Sequence, residues 1–157
     1  MELSHWKSIV VEQKKPDESC IPAGYEWLIR YYGIKGVNLE TFQDEFNFHP
    51  NNSFPYVSKK IMEKYPQIKI QVKNFKKGIE EIDYVRHLIR QDIPCLIVVV
   101  GQKDRGHSVP VVAIDNAQVT VIATALKGSN FDVKYAIFEL TEMWDKYNCK
   151  AISWIEP

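Results

Sequence analysis

The first part of the chain carries apolar residues at the spacing of α-helices. After Cys20, apolar side chains recur on one helical face at Ile21, Tyr25, Leu28 and Tyr32. Gly33 follows them and supplies the positive φ that commonly ends a helix. Similar spacing predicts further helices over residues 39–46, 56–65, 78–90 and 140–147. One strand is predicted among the first 90 residues, over residues 67–72, where apolar and polar residues alternate.

From residue 93 onward the pattern changes to that of β-strands. Residues 93–100 form an apolar run of strand length, which indicates a buried strand. Further strands are predicted over residues 107–115, 118–124, 131–140 and 151–155, with a tight turn at residues 116–117. Pro110 predicts a bulge or a sheet edge, because proline cannot donate to a strand ladder. Helices followed by antiparallel strands are typical of an α+β fold, with an N-terminal helical part packed on a C-terminal sheet.

Composition and charge exclude several classes of protein. The chain has 157 residues, of which 45% are hydrophobic and 25% charged. It is long enough to bury a sizeable core, and we expect one globular domain over residues 1–157. Twenty basic and twenty acidic residues leave no net charge. That balance argues against a nucleic-acid partner held through phosphate contacts.

The sequence contains no candidate membrane or secretory segment. Its longest apolar run, residues 93–101, contains Pro94 and is far shorter than the ~20 residues that span a bilayer. We therefore expect a cytoplasmic protein with no membrane association, whose three cysteines are reduced thiols. No Cys or His pair has the spacing of metal ligands, and no phosphate-binding glycine loop occurs, so no metal or cofactor is expected. The oligomeric state is left open.

Cys20 is the first candidate for chemistry, because it begins the first predicted helix. Asp17 or Ser19 can cap that helix, and Pro22 suits its first turn. The free N–H groups and the dipole of a helix N-terminus favour a thiolate, so Cys20 is a candidate nucleophile. Most cysteines of cytoplasmic proteins are nevertheless buried and inert. Cys95, within the apolar run, and Cys149 fit that description.

A cysteine nucleophile needs a base, and His107 is the best-placed of the four histidines. It follows the turn formers of residues 104–106 and opens a predicted strand, so it is supported on one side and open on the other. His5 lies in the N-terminal tail, His49 in a turn, and His87 in the middle of a helix beside arginines.

Several motifs resemble those of the papain-like cysteine peptidases, in particular the branch that removes leader peptides from bacteriocins after a double glycine. The nucleophile helix of that branch follows a glutamine, contains Cys-Gly-Pro-Ala and ends in Tyr-Tyr-Gly. Here Gln13 precedes SCIPA at residues 19–23, and YYG stands at residues 31–33. GHSVPVVAID, residues 106–115, is similar to the strand that carries the histidine, and FELTEMWDKY, residues 138–147, to the terminal helical segment.

This resemblance implies a thiol hydrolase of the papain-like α+β fold that acts on a peptide or protein substrate. Cys20 would attack a carbonyl, and His107 would transfer the proton. Gln13 and the backbone N–H of Cys20 would donate to the oxyanion. The acyl-enzyme would then be released by water.

The sequence departs from the family pattern at three positions. Ala123 stands where the family has an Asp or Asn that orients the histidine. The next residue, Thr124, is the other candidate for that role. Lys14 occupies the position of the family glutamine, so that Gln13 lies one residue further back. Ile21 replaces the glycine after the cysteine. Two alternatives to a peptidase therefore stay open: a degenerate module that binds or regulates without turnover, and an acyl-transfer enzyme such as a deamidase or transglutaminase.

Overall fold

The computed structural model describes residues 1–15, 18–100, 106–123 and 132–157. Its elements, after a single 3₁₀ turn at Trp6–Ser8, are α1 (Cys20–Tyr32), α2 (Phe42–Glu45), α3 (Phe54–Lys64), β1 (Ile70–Asn74), α4 (Gly78–Arg90), β2 (Cys95–Val100), β3 (Gly106–Ile114), β4 (Gln118–Ile122), β5 (Asp132–Ala136), α5 (Ile137–Tyr147) and β6 (Ala151–Ile155). The predicted loop over residues 101–105 lies outside the described residues.

The strands form one six-stranded sheet in the order β1-β6-β2-β3-β4-β5. Every pairing between neighbours is antiparallel. The chain returns after α5 to insert β6 between β1 and β2, so the two halves of the sequence share one sheet. None of the helices in the part of the chain described here has the length and apolarity needed to cross a membrane.

Helix α1 packs closely on the sheet. Trp27 and Leu28 are fully buried on this helix, and Gly33 ends it with a φ of 61°. Gly24 allows the close approach, because a Cβ atom there would lie 2.9 Å from a methyl carbon of Leu96 on β2 and 3.2 Å from the hydroxyl of Ser108 on β3. The first turn of α1 is therefore held directly over β3.

The predicted elements agree with the structure where local signals dominate. The helix over residues 78–90 has the predicted bounds, and the helix that begins at Cys20 ends at Tyr32 as expected. The prediction of a strand over residues 131–140 was wrong in its second part, since β5 ends at Ala136 and α5 begins at once. Packing explains the change, because Leu140 and Trp144, one helical turn apart, are both fully buried.

Smaller differences concern α2, β1 and Pro110. Helix α2 covers only four residues of the predicted 39–46, and β1 begins three residues later than the predicted 67. Pro110 pairs with Leu96 in the interior of the sheet, so the alternative of a sheet edge was wrong. The register does shift nearby, between Val111 and Ala113, which agrees with the alternative of a bulge.

Candidate active site

A cavity of about 450 Å³ opens where the first turn of α1 faces the sheet, and we call it the Cys20 cavity. Cys20 and His107 both line it, together with Ile21, Ser108 and Cys149. Cys20 is the first residue of α1, and His107 is the second residue of β3. Both side chains are half-buried. The fold thus brings together two residues that are far apart in the sequence.

Backbone N–H groups surround the Cys20 thiol, but burial decides its pKa. The N–H groups of Ser108, Ile21 and Cys20 itself all favour the thiolate. Burial disfavours the charged form more strongly, so the net effect raises the pKa of Cys20 above its ordinary value. The expectation that a helix N-terminus gives this thiol a lowered pKa was therefore wrong, because sequence alone does not show the burial.

Burial also acts on the imidazole of His107, and it lowers the pKa of that group. Among the residues that the structure describes, burial is the one cause that shifts it. A raised thiol pKa and a lowered imidazole pKa favour the same resting state. In that state the thiol and the imidazole that line the Cys20 cavity are both neutral.

Ser108 contacts Cys20 through both its side chain and its backbone, and no pattern in the sequence indicated this role. Its hydroxyl donates to the backbone carbonyl of Cys20 at 3.2 Å, and its side chain is buried. Its backbone N–H faces the Cys20 sulfur. Since Ser108 follows His107 directly, it fixes the first turn of α1 to the strand that carries the imidazole. Only the alternation of side chains along β3 could have indicated an inward-facing serine here.

Gln13 is buried beside the site but is not among the described residues that line the Cys20 cavity. Its side-chain amide donates to the carbonyl of Lys15 at 3.0 Å. Lys14, which occupies the position of the family glutamine, directs its ammonium group to the carbonyl of Glu40 and lies 3.6 Å from the carboxylate of Asp44. Neither Gln13 nor Lys14 is among the described residues that line the Cys20 cavity.

Ala123 directly follows the last residue of β4, and β4 is the neighbour of the strand that carries His107. The register pairs Val111 with Val121. Continued by two residues beyond this pair, the register would place Ala123 opposite Val109, diagonal to His107. An alanine there offers no group that could orient an imidazole. Thr124, the other residue considered for this role, lies outside the described residues.

The capping prediction for α1 is only partly correct. Ser19 occupies the N-cap position but its side chain makes no capping hydrogen bond to the helix. Its hydroxyl instead accepts a hydrogen bond from the backbone N–H of Lys15 at 3.0 Å. Asp17, the other candidate cap, lies outside the described residues. Ser19 thus secures the segment that precedes the helix.

The two other cysteines differ from each other. Cys95 is fully buried on β2, and burial raises its pKa strongly, which agrees with an inert thiol. Cys149 also has a raised pKa because of burial, but it lines the Cys20 cavity. The prediction that Cys149 is only a packing residue missed this position. In the described part of the chain, no group of three or more His, Cys, Asp or Glu side chains could hold a metal ion.

Comparison with known proteins identifies the architecture. No protein-family model matches this sequence, and no curated protein matches it. Among solved structures, a protein of Bacillus anthracis described as a C39-like peptidase superposes with a TM-score of 0.68 and 14% identity, over 100% of this chain and 98% of the other. The fold is that of the C39-like peptidases.

A second solved structure agrees. The peptidase domain of Streptococcus ComA, a bifunctional ABC transporter of a quorum-sensing pathway, matches with a TM-score of 0.64 and 13% identity, over 98% of this chain and 99% of that domain. The predicted papain-like α+β fold, with helices packed on an antiparallel sheet, is thereby confirmed. At these identities, the likeness to C39-like peptidases concerns the fold.

Proposed function

We propose that this protein is a cysteine peptidase whose nucleophile is Cys20 and whose base is His107. The observation that carries the proposal is their shared position on one cavity, within a fold of C39-like peptidase type. The backbone N–H groups that contact the Cys20 sulfur add support, since they stabilise the thiolate that attacks the carbonyl.

The resting state determines how the reaction begins. Both partners are neutral at rest, so His107 accepts the thiol proton as the sulfur attacks the carbonyl carbon of the substrate. A sulfur–carbon bond forms, and the carbonyl oxygen becomes an oxyanion that accepts a hydrogen bond from the N–H of Cys20. The carbon–nitrogen bond then breaks, and His107 returns the proton to the leaving amine. Water hydrolyses the thioester, which releases a carboxylic acid and restores the thiol.

Gln13 is our proposed second oxyanion donor. In the structure its side-chain amide donates to the carbonyl of Lys15. Donors at such positions commonly contribute about 3 kcal/mol to transition-state stabilisation. We place this domain, residues 1–157, in the cytoplasm, where its substrates are peptides or proteins. The double-glycine substrates of leader peptidases are not assumed for it.

A second candidate function has its own observation in support. Among the described residues no carboxylate influences the imidazole of His107, and Ala123 stands where an orienting residue is expected. Such a site suits a module that binds a peptide in the cavity and does not turn it over. A non-proteolytic acyl-transfer enzyme would use the same pair of residues.

A fluorogenic peptide library tests these candidates. We expect the wild-type protein to cleave at least one peptide class, and the Cys20→Ala variant to cleave none. Cys149→Ala is the matched control, because it removes another thiol from the same cavity. Release of ammonia from glutamine peptides, or incorporation of an amine, would instead indicate deamidation or transglutamination. Binding of peptides without cleavage, unchanged in Cys20→Ala, would refute the peptidase.

A further inference from the structure

Gln43 of α2 is a buried side chain at the centre of a polar network behind Cys20. It is only 2% exposed. Its Oε1 accepts hydrogen bonds from the backbone N–H of Lys14 at 2.9 Å and from the hydroxyl of Ser19 at 3.3 Å, a hydroxyl whose one proton is shared with the carbonyl of Lys15 at 3.2 Å. Its Nε2 donates to the carbonyl of Glu12 at 2.7 Å and to the carboxylate of Glu26 at 3.1 Å. Both lone pairs and both N–H groups of this one amide are therefore satisfied.

The four partners belong to the two chain segments that build the proposed oxyanion site. Two of them are backbone groups on either side of Gln13. The third is the side chain of Ser19, the residue directly before Cys20. The fourth, Glu26, lies on α1 and is itself fixed, because its other carboxylate oxygen accepts from Arg30 at 2.9 Å. The amide of Gln43 thus sets the distance between the Gln13 segment and the first turn of α1.

We propose that Gln43 is a positioning residue for the oxyanion site. It is not among the described residues that line the Cys20 cavity, so it acts through Gln13 and the N–H of Cys20. This inference rests on the proposed function of Cys20. No other side chain type supplies the same pattern at this length: methionine has no strong donor or acceptor, and glutamate would set a second carboxylate against Glu26.

Two chemical probes separate positioning of the oxyanion from activation of the thiol. Iodoacetamide reacts with the Cys20 sulfur by displacement: the thiol proton passes to a base or to solvent, a sulfur–carbon bond forms, iodide leaves, and no oxyanion develops. A peptide aldehyde forms a hemithioacetal: the sulfur bonds to the carbonyl carbon, the thiol proton passes to the carbonyl oxygen, and that oxygen lies where the oxyanion would. A defect in the oxyanion site therefore weakens the aldehyde and leaves the alkylation rate unchanged.

The experiment compares wild-type protein with Gln43→Met, using iodoacetamide and the aldehyde of the peptide that the wild type cleaves best. We expect the inhibition constant of the aldehyde to rise at least 10-fold, while the alkylation rate of Cys20 and its pH profile stay within about 2-fold. Ser153→Ala is the matched control, since it removes buried hydrogen bonds to Tyr25 and Gln71 away from the network. It should leave both probes unchanged.

Three results would overturn the proposal. Equal inhibition of wild type and Gln43→Met would show that Gln43 positions nothing in the site. A parallel loss of alkylation and inhibition would show a general structural role. If Gln43→Met does not fold, Ser19→Ala takes its place; it removes the hydrogen bond to Gln43 together with those to the backbone of Lys15. Failure of Ser19→Ala to weaken the aldehyde selectively is the third such result. A wild-type protein that the aldehyde does not inhibit would refute the peptidase itself, which distinguishes that failure from failure of the Gln43 proposal.

Discussion

Glu81 is expected to make the stability of this protein depend on pH. It lies in the first part of α4 and is fully buried. Within the described structure, neither of its carboxylate oxygens has a hydrogen-bond partner. Burial raises its pKa to about 9, and the ammonium group of Lys150 opposes that rise only in part. Glu81 is therefore protonated in the folded protein at neutral pH.

The magnitude follows from the two pKa values. In the unfolded chain the carboxyl has its ordinary pKa of 4.5, and in the folded protein about 9. Between these values the folded state holds one more proton, so the free energy of unfolding falls by about 1.4 kcal/mol for each unit of rising pH. Between pH 5.5 and pH 8 the loss amounts to about 3 kcal/mol, a large share of the ~5–15 kcal/mol that stabilises a typical domain.

Glu81→Gln tests this reasoning, because glutamine has nearly the same shape and cannot ionise. Urea unfolding of both proteins, followed by tryptophan fluorescence at pH 5.5 and pH 8, gives the two free energies. We expect the stability of Glu81→Gln relative to wild type to increase by about 3 kcal/mol between these pH values. Asp83→Asn, on an exposed position of the same helix, is the control and should show no such change. A difference between Glu81→Gln and wild type that is the same at both pH values would refute the assignment of a buried, protonated carboxyl.

Three further predictions concern the Cys20 cavity. The rate of alkylation of Cys20 by iodoacetamide should rise with pH, and the midpoint of that rise should lie above that of an ordinary thiol because burial raises the pKa of Cys20. A midpoint below pH 7 would contradict this. Ser108→Ala removes the hydrogen bond to the Cys20 carbonyl. Because such a bond is worth about 1 kcal/mol, kcat/KM should fall about 3- to 10-fold. An unchanged kcat/KM would mean that the packing of α1 alone holds Cys20 in place. Ala123→Asp should raise kcat/KM at least 10-fold at neutral pH, because a carboxylate there would orient the imidazole of His107. Ala123→Ser is the uncharged control. No gain in Ala123→Asp would show that residue 123 does not reach His107.

Local patterns were sufficient for most of the fold and for the two central residues of the site. The apolar face and the final glycine of α1 fixed the position of Cys20, and the strand pattern after residue 106 fixed that of His107. Both signals act over a few residues, so a single sequence displays them. The insertion of β6 between β1 and β2 is set by packing between distant segments and has no local signal.

The residues that the sequence did not indicate all act through long-range contacts. Gln43 bonds to groups 17 to 31 positions away, and Ser108 to a carbonyl 88 positions away. Glu81 was missed for a related reason: a glutamate in a helix is ordinarily exposed, and its burial follows from how α4 packs. The direction of the Cys20 pKa was mispredicted because sequence reveals the helix N-terminus but not the burial that outweighs it.

The alanine at position 123 helps to explain why the Cys20 thiol and the His107 imidazole are both neutral at rest. A carboxylate beside His107 would stabilise an imidazolium and so favour a thiolate–imidazolium pair. With Ala123 in that place, the described residues provide only burial, which favours the uncharged pair. Loss of the equivalent carboxylate lowers the rate about 10⁴-fold in serine proteases, where the imidazolium forms only during the reaction. Turnover by Cys20 would then depend on the backbone N–H groups and on the Gln43 network that positions them. A slow peptidase that responds strongly to both Gln43→Met and Ala123→Asp is the outcome that this physical picture requires.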